Sequence, residues 1–253
     1  MKKNYVELYK KFNKIRNMGW IKSKRNGSTG IGYTFETLLN IEENSFAVPD
    51  YNGIEIKTMR IFSKKNIHLF NATPDGDYLF PIKRVLYKLG YPCKENKEYK
   101  VFLSAASGKE FSQIGYSEKI KLEIDRQHNK INLIAKDKYN NDIDISISWS
   151  FDLLKSKLYI KNKYLAIIKA KRIYRENIEY FHYVHIEFYE IKDFDTFLQL
   201  IELGIIKVTF KINVYKTGEK AGQIDDHGTD FSIKEKNIEL LYNKVAFSNK
   251  QKN

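Results

Sequence analysis

The sequence predicts an α/β fold, in which a mixed central sheet is flanked by helices and an additional lobe consists mostly of strands. Three observations favour this class: an apolar stripe at helical spacing near the N-terminus, short runs along the chain that alternate apolar and polar residues, and turn residues between three such runs in its middle. The 253 residues are 42% hydrophobic, enough for one large or two small lobes. We expect a first lobe over residues 1–110, completed by about 150–190, and a second lobe over residues 111–253.

The first half of the chain predicts helices and strands that form the central sheet and cover it. The elements in order are a helix over 5–18 that ends at Gly19, a polar Gly-rich loop over 20–32, a helix at 35–39, strands over 54–58 and 67–70, a helix over 82–89 and a strand over 99–104. Helices are assigned where apolar residues recur every three or four positions, and strands where they recur every second position. We expect the strand over 67–70 to lie next to the strand over 54–58.

The second half of the chain predicts an antiparallel meander followed by further strands. Its elements are alternating runs over 119–125, 131–137 and 143–149, a helix through Leu158 that Ser150 caps, strands over 164–168 and 180–189, a helix over 194–201 that ends at Gly204, a strand over 206–215 and a polar loop over 216–232. The run over 164–168 is continuously apolar, which is typical of a buried strand, so we expect it in the central sheet. The cluster Lys169, Lys171, Arg172 and Arg175 is assigned to a solvated loop, with contact to DNA phosphate as the alternative.

One stretch near position 50 has the clearest chemical content. Residues 54–58 alternate apolar and polar, so Glu55 and Lys57 project from one face of a strand while the two isoleucines point into a core. Asp50 precedes this strand, and the Tyr-Asn-Gly sequence between them predicts a turn that brings its carboxylate beside Glu55.

Asp50 and Glu55 would together form a hard oxygen site of the kind that Mg²⁺ prefers. Lys57 on the same face would position and polarise a water molecule next to a phosphate, which indicates metal-assisted phosphodiester hydrolysis. The alternative is a solvated strand face, because the Glu-any-Lys pattern also occurs at 95–97, 98–100 and 190–192. The occurrence at Glu55 differs in having a carboxylate on a preceding turn and Glu36 on an upstream helix.

The charge balance indicates a polyanionic partner. Lys and Arg number 44 against 31 Asp and Glu, a formal charge of +13, and nucleic acid is the leading candidate. A lysine-rich composition that reflects an AT-biased genome is the alternative. Cys93 is the single cysteine, which excludes an intrachain disulfide and fits a reducing cytoplasm. No signal peptide and no apolar run of membrane-spanning length is recognisable, so we expect a cytoplasmic protein.

Several motifs resemble those of the MvaI and BcnI restriction endonucleases, within the PD-(D/E)XK nuclease superfamily, with the MvaI pattern the nearer and the repair nuclease MutH more distant. The similar segments, in matching order along the chain, are Trp20 with Lys24, Arg25 and Gly27, then residues 30–36, 47–50, 53–58, 149–152 and 226–229. Because they span most of the chain, the resemblance is more specific than any one motif.

The resemblance implies a catalytic lobe and a recognition lobe around a basic cleft, and Mg²⁺-dependent hydrolysis of double-stranded DNA that leaves a 5′-phosphate, with Mn²⁺ as a substitute. Asp50, Glu55 and the Ile56 carbonyl would bind the metal, Lys57 would position or activate the water, and Glu36 would orient a water or a neighbouring ligand. It also implies a monomer and a cognate DNA methyltransferase in the same system.

Two other regions are candidates for binding DNA. Lys24 and Arg25 lie in the Gly-rich loop, for which a mobile surface loop is the alternative. The second region combines the end of a strand with the polar loop, and its candidates are Lys211, Tyr215, Lys216, Lys220, Asp225, Asp226, His227 and Asp230. Hydrogen-bonding side chains beside a strand are suited to contacting base edges, but a polar hairpin is the alternative. A second metal site at 225–227 would lack a fourth ligand.

The second region departs from the MvaI pattern, which is His-Asp-His-Gly-Thr-Ala-Phe-Arg. Here Asp225 replaces the first His, Ser232 replaces the Arg, and Lys211 replaces an arginine in the preceding strand. Arginine is the commonest side chain that contacts guanine, so its loss argues against the CC(A/T)GG target of MvaI. We therefore expect a different recognition sequence.

Two other functions remain open on the sequence. One is a MutH-like nicking endonuclease of mismatch repair, and the other is a DNA-binding protein without nuclease activity. The closer match around His227 argues against the first, and the intact set of Asp50, Glu55 and Lys57 argues against the second.

Overall fold

The computed structural model describes residues 1–41, 48–63, 65–76, 79–115 and 117–246. The chain forms two compact units. Unit 1 contains the described residues of Met1–Lys65, Leu158–Lys192 and Tyr242–Asn253, and unit 2 contains those of Asn66–Lys157 and Asp193–Leu241. These bounds differ from the expected lobes, because residues 66–110 belong to unit 2. The assignment of catalysis to one lobe and recognition to the other stays a prediction.

Helices and strands cover most of the described chain. The helices are α1 (Lys2–Asn17), α2 (Gly30–Leu38), α3 (Leu79–Leu89), α4 (Phe151–Lys161), α5 (Phe194–Glu202) and α6 (Ile238–Leu241). The strands are β1 (Ile21–Lys22), β2 (Glu55–Arg60), β3 (Asn66–Asn71), β4 (Tyr91–Pro92), β5 (Lys100–Ala106), β6 (Ser112–Ile114), β7 (Glu118–Asp125), β8 (Lys130–Lys136), β9 (Asp142–Ser150), β10 (Tyr164–Arg175), β11 (Ile178–Ile191), β12 (Ile206–Val214), β13 (Ile224–Lys234) and β14 (Tyr242–Lys244).

Unit 1 is built on a mixed sheet with the strand order β1-β11-β10-β2, in which β14 also pairs with β11. Strand β10 runs parallel to β2 and antiparallel to β11. The apolar stripe of α1 and the inner side of α2 pack against this sheet in one core, which includes Ile56 and Ala166. The predicted first two helices and the buried strand over 164–168 are therefore confirmed, as is the mixed sheet.

Unit 2 consists mostly of antiparallel strands. One sheet has the order β3-β13-β12-β5-β4, and a second has the order β6-β7-β8-β9, which confirms the predicted meander. Trp149 is fully buried and its Nε1 donates to the Ala72 carbonyl at 2.9 Å. Its ring contacts Phe210 and Phe231 from the first sheet. Large aromatic rings of this kind contribute much of the apolar area that stabilises a small core.

Three placements predicted from the sequence are wrong. Strand β3 pairs with β13 in unit 2 and not with β2, whose neighbour is β10. Lys169–Arg175 belongs to strand β10 and not to a loop, because it pairs with β11. The polar segment from Ile224 onward is strand β13, which pairs with β12, although its residues up to Asp230 lack the alternation of apolar residues that marks a strand.

Two boundaries also differ from the prediction. Helix α2 begins at Gly30, so the Gly-rich loop ends three residues earlier than expected. Helix α4 extends to Lys161, and the Ser150 hydroxyl, which we expected to cap it, donates to Asp75. In the part of the chain that the structure describes, no helix combines the length and the apolar character needed to cross a bilayer.

Candidate active site

Strand β2 carries the candidate catalytic residues at the edge of the sheet of unit 1. Alternation along the strand separates its two faces: Ile56 packs into the core shared with α1 and α2, while Glu55 and Lys57 project from the opposite face. Lys57 Nζ donates a hydrogen bond of 2.6 Å to Glu55 Oε1, which confirms that the two side chains share a face. The parallel neighbour β10 fixes the position of the strand, with Leu165 beside Glu55 and Ile167 beside Lys57.

The turn before β2 brings Asp50 to this strand. Tyr51 and Ile54 exchange two backbone hydrogen bonds, and the two residues between them have positive φ, 45° at Asn52 and 83° at Gly53. This is the geometry of a two-residue hairpin turn, for which Asn-Gly is the preferred sequence. The chain reverses, and Asp50 Oδ2 accepts a hydrogen bond of 2.8 Å from the Ile56 amide. The predicted turn is confirmed.

Glu55 is the most electrostatically perturbed carboxyl group of the site. It is 1% exposed, and its Oε2 atom is buried without a hydrogen-bond partner among the described residues. Burial raises the pKa of Glu55 to about 7, an effect that the Lys57 ammonium opposes and the Asp50 carboxylate reinforces. A carboxyl group with such a pKa changes its charge near neutral pH, which is typical of functional sites.

Lys161 is a second lysine near Glu55 that the sequence reasoning missed. Its Nζ lies 3.6 Å from Glu55 Oε1, and it is the last residue of α4. No local sequence signal reveals it. Lys161 comes four residues before Leu165, and only the parallel pairing of β10 with β2 places Leu165 beside Glu55.

Glu36 lies on α2, which packs against β2. A methyl group on Gly32 would lie 3.3 Å from Thr58 Oγ1 and 3.5 Å from Glu36 Oε1. The Glu36 carboxylate is thus on the side of Thr58, the residue after Lys57. Alternation along β2 places Thr58 on the face opposite Lys57.

The loop that carries Lys24 and Arg25 is held by an ion pair from the sheet. Arg60 on β2 makes two hydrogen bonds of 2.8 Å to Glu179 on β11, and it also donates to the carbonyls of Gly27 and Ser28. The backbone carbonyl of Glu179 accepts from the Ser23 amide at 2.8 Å. A bidentate arginine–carboxylate pair is a rigid anchor, so the loop is tied to the sheet at several points.

The second group of candidates lies on β12, on β13 and on the turn between them. Lys211 belongs to β12, whereas Asp225, Asp226, His227 and Asp230 belong to β13. His227 Nε2 lies 3.2 Å from Asp225 Oδ2, and Asp226 Oδ1 accepts from the Gly228 amide. Tyr215, Lys216 and Lys220 are in the connecting turn, where Lys216 Nζ lies 3.0 Å from Glu95 Oε1 and Lys220 lies over the Tyr215 ring.

The donor atoms near Asp50 suit a hard cation that retains water ligands. In the described residues no three His, Cys, Asp or Glu side chains converge closely enough to hold a metal ion, and this includes the segment 225–227. Mg²⁺, however, is commonly held by one or two carboxylates together with water and phosphate oxygens. Asp50 and the unpartnered Oε2 atom of Glu55 provide that donor set.

Comparison with known proteins places this geometry in a family. The model of the MvaI/BcnI restriction endonuclease family matches residues 9–242. The chain belongs to the MvaI/BcnI restriction endonuclease family. This confirms the resemblance drawn from the motifs.

Two solved structures are similar over nearly the whole chain. One is a complex of restriction endonuclease MvaI with its cognate DNA substrate, at 30% identity and a TM-score of 0.86, covering 97% of this chain and 98% of that one. The other is MvaI in the absence of DNA, at 28% identity and a TM-score of 0.63, with the same coverage. A search of curated proteins gave no match. Family and fold support a type II restriction endonuclease that binds DNA, and restriction endonucleases of this kind generally use a divalent metal.

Proposed function

We propose that this member of the family is a Mg²⁺-dependent, site-specific endonuclease that hydrolyses both strands of duplex DNA. The observation that carries the proposal is the arrangement of Asp50, Glu55 and Lys57 around the start of β2, with Asp50 bound to the Ile56 amide and Lys57 bound to Glu55. Asp50, Glu55 and the Ile56 carbonyl hold the cation, for which Mn²⁺ substitutes. When bound, the cation supplies Lewis-acid stabilisation of charge on the phosphate oxygens.

The reaction follows the chemistry of phosphodiester hydrolysis. A water molecule attacks the phosphorus, the bond between phosphorus and O3′ breaks, and the products are a 5′-phosphate and a 3′-hydroxyl. Lys57 orients the attacking water, since its ammonium is held 2.6 Å from Glu55 and on the face where Glu55 projects. Glu36 acts on the site indirectly, because it lies beside Thr58 on the face of β2 opposite Lys57.

Lys161 adds positive charge to the same site. Its Nζ is 3.6 Å from the oxygen of Glu55 that also accepts from Lys57. The side chain is about one-third exposed, so its ammonium is accessible to a phosphate while it lies beside Glu55. The two lysines offset the charges of the Asp50 and Glu55 carboxylates, which reduces repulsion of the anionic DNA backbone at this site.

The remaining parts of the proposal concern recognition and partners. The loop with Lys24 and Arg25 contacts phosphates, and the candidates on β12 and β13 contact base edges. The recognition sequence differs from CC(A/T)GG, because Lys211 and Ser232 stand where the MvaI pattern has arginines. The protein acts as a monomer in the cytoplasm, and a cognate methyltransferase protects the host DNA.

The first test is digestion of a sequenced, unmethylated circular duplex with purified protein, in Mg²⁺ and in EDTA. We expect discrete fragments in Mg²⁺ only, and at least about a 100-fold loss of rate in Lys57→Ala, because the water loses its orienting group. Lys97→Ala is the matched control, since Lys97 stands in another Glu-any-Lys tripeptide and should cut like the wild type.

Other outcomes separate the rival functions. Nicked circles without linear product would indicate a MutH-like nicking enzyme. Salt-sensitive binding without any cleavage would indicate a DNA-binding protein. Efficient and selective cutting at CC(A/T)GG would refute the proposed change of target.

A further inference from the structure

Three side chains in unit 2 form a connected line across three adjacent strands. Asp230 on β13 lies between His68 on β3 and Lys211 on β12. His68 Nδ1 is hydrogen-bonded to Asp230 Oδ1, and Lys211 Nζ lies 3.3 Å from Asp230 Oδ2. One carboxylate therefore binds both neighbours, and we name these residues the His68–Asp230–Lys211 line.

The line lies on the polar side of its sheet. The opposite side packs into the core of unit 2, where Phe70, Phe210 and Phe231 contact one another or Trp149. On the polar side the His68 and Lys211 side chains are 46% and 45% exposed, whereas Asp230 is 12% exposed. The two outer members can thus contact a ligand, and the central member is placed to support them.

Both carboxylate oxygens of Asp230 are bound within this line, one to His68 and the other to Lys211. Burial raises its pKa, but the hydrogen bond from His68 and the charges of His68 and Lys211 outweigh burial, so the net pKa of Asp230 is lowered. An ionised carboxylate only accepts hydrogen bonds, so His68 Nδ1 must carry a proton. The Asp230 carboxylate thus fixes the orientation of the His68 ring through Nδ1.

We propose that His68 and Lys211 together contact one base pair in the major groove, and that Asp230 is the positioning residue that holds them. The inference rests on the proposed function, because it specifies how the enzyme recognises its DNA. Lys211 supplies a donor beside the half-exposed His68 ring, and each base pair presents its own pattern of donors and acceptors in the major groove. The line therefore selects one base at one position of the target.

This assignment changes the role expected for Asp230. From sequence it is a direct DNA contact, and an aspartate of that kind accepts from cytosine N4. With both oxygens used by His68 and Lys211, it acts on the base through them. His68 has no part in the sequence motifs, because it lies 162 residues from Asp230 and only the pairing of β3 with β13 brings it there.

The test is selection from a pool of synthetic duplexes with a randomised segment, with Ca²⁺ in place of Mg²⁺ so that bound DNA is recovered uncut. The proteins are the wild type, His68→Ala, Asp230→Asn and His128→Ala. The last is the matched control, because His128 also pairs with an aspartate, Asp125, but on the exposed β7–β8 turn. We expect the wild type to prefer one base at one position, and both line variants to lose about tenfold of that preference at the same position.

Several outcomes would overturn the inference. One is that His68→Ala keeps the base preference of the wild type. The others are that His128→Ala loses as much of this preference as the line variants, or that the wild type shows no base preference. A variant that binds all sequences more weakly while keeping its preferences would show a merely structural ion pair. His68→Ala decides the matter if Asp230→Asn fails to fold, since His68 is exposed. Cleavage in Mg²⁺ is scored separately, so selective binding without cleavage would refute the nuclease and leave the inference standing.

Discussion

The single residue Glu55 places a buried carboxyl group in the candidate site, and this burial opposes the stability of the folded protein. Its Oε2 atom is buried without a partner among the described residues, and its pKa is about 7. A buried carboxylate of this kind costs free energy whenever it is ionised. The fold retains it because Lys57 and Lys161 offset part of that cost.

The raised pKa of Glu55 predicts a pH-dependent stability difference in metal-free protein. Between pH 4.5 and pH 7 the folded state binds a proton at Glu55 that the unfolded state has lost, so the free energy of unfolding falls as pH rises. Above this window both states are ionised and the dependence ends. Glu55→Gln should gain stability relative to the wild type across the window, on the order of 3 kcal/mol.

Urea denaturation in EDTA at pH 5 and at pH 8 measures this difference. Glu98→Gln is the control, because Glu98 is an exposed glutamate in a similar tripeptide and should show no such trend. A stability gap between the wild type and Glu55→Gln that stays constant with pH would contradict the prediction.

The turn before β2 shows how one short element sets the site. Gly53 has φ of 83°, and an added Cβ would meet only the flexible end of Met1 at 3.4 Å. Replacement by alanine therefore costs about 1–2 kcal/mol through the backbone conformation alone. Because this turn holds Asp50 against the Ile56 amide, Gly53→Ala should also lower the cleavage rate at least about tenfold.

Gly19→Ala separates the two effects of the turn substitution. Gly19 has φ of 70° at the end of α1, and an added Cβ would meet nothing within 4 Å. Gly19→Ala should lower the free energy of unfolding by about as much as Gly53→Ala, but it should keep the wild-type cleavage rate. Thermal unfolding and single-turnover cleavage of both variants provide the comparison, and equal activities would refute the role of the turn.

The sequence was sufficient for those elements whose signals are local. The Asn-Gly turn, the alternation of 54–58 and the stripe of α1 are encoded by neighbouring residues, and the structure confirms them. The partners of strands are not encoded locally. The prediction therefore placed β3 in the wrong sheet. It missed β13 because the residues of this strand up to Asp230 are mostly polar and do not alternate with apolar ones.

The same limit explains what was missed at the candidate site. Lys161 and His68 reach Glu55 and Asp230 only through tertiary pairing, so spacing along the chain does not reveal them. Glu55 and Lys57 are two residues apart on one strand, which is why a sequence pattern suffices to find them.

At the scale of the whole molecule, the formal charge of +13 predicts a steep dependence of DNA binding on salt. If binding neutralises about six to ten phosphates, the association constant should fall by about 10³ to 10⁵ between 50 and 200 mM salt, because counterions are released from the DNA. Titration of one labelled duplex at several salt concentrations, in Ca²⁺, gives the slope.

A nonspecific duplex serves as the comparison for this slope. It should show a similar salt dependence at lower affinity, since phosphate contacts carry no sequence information. An association constant that is insensitive to salt would contradict the view that the surplus of lysine serves nucleic-acid binding.

The unpartnered oxygen of Glu55 also has a consequence for how the gene of such an enzyme would be inactivated in evolution. Under the proposed function, a host that loses its protecting methylation survives only if the nuclease is inactivated, and neutral replacements of Glu55 would inactivate it without destabilising the fold. Descendants silenced at this codon should therefore remain well-folded proteins that still bind their target. Such inactive proteins could then serve as repressors or supply a DNA-binding domain to other proteins, although they no longer cleave DNA.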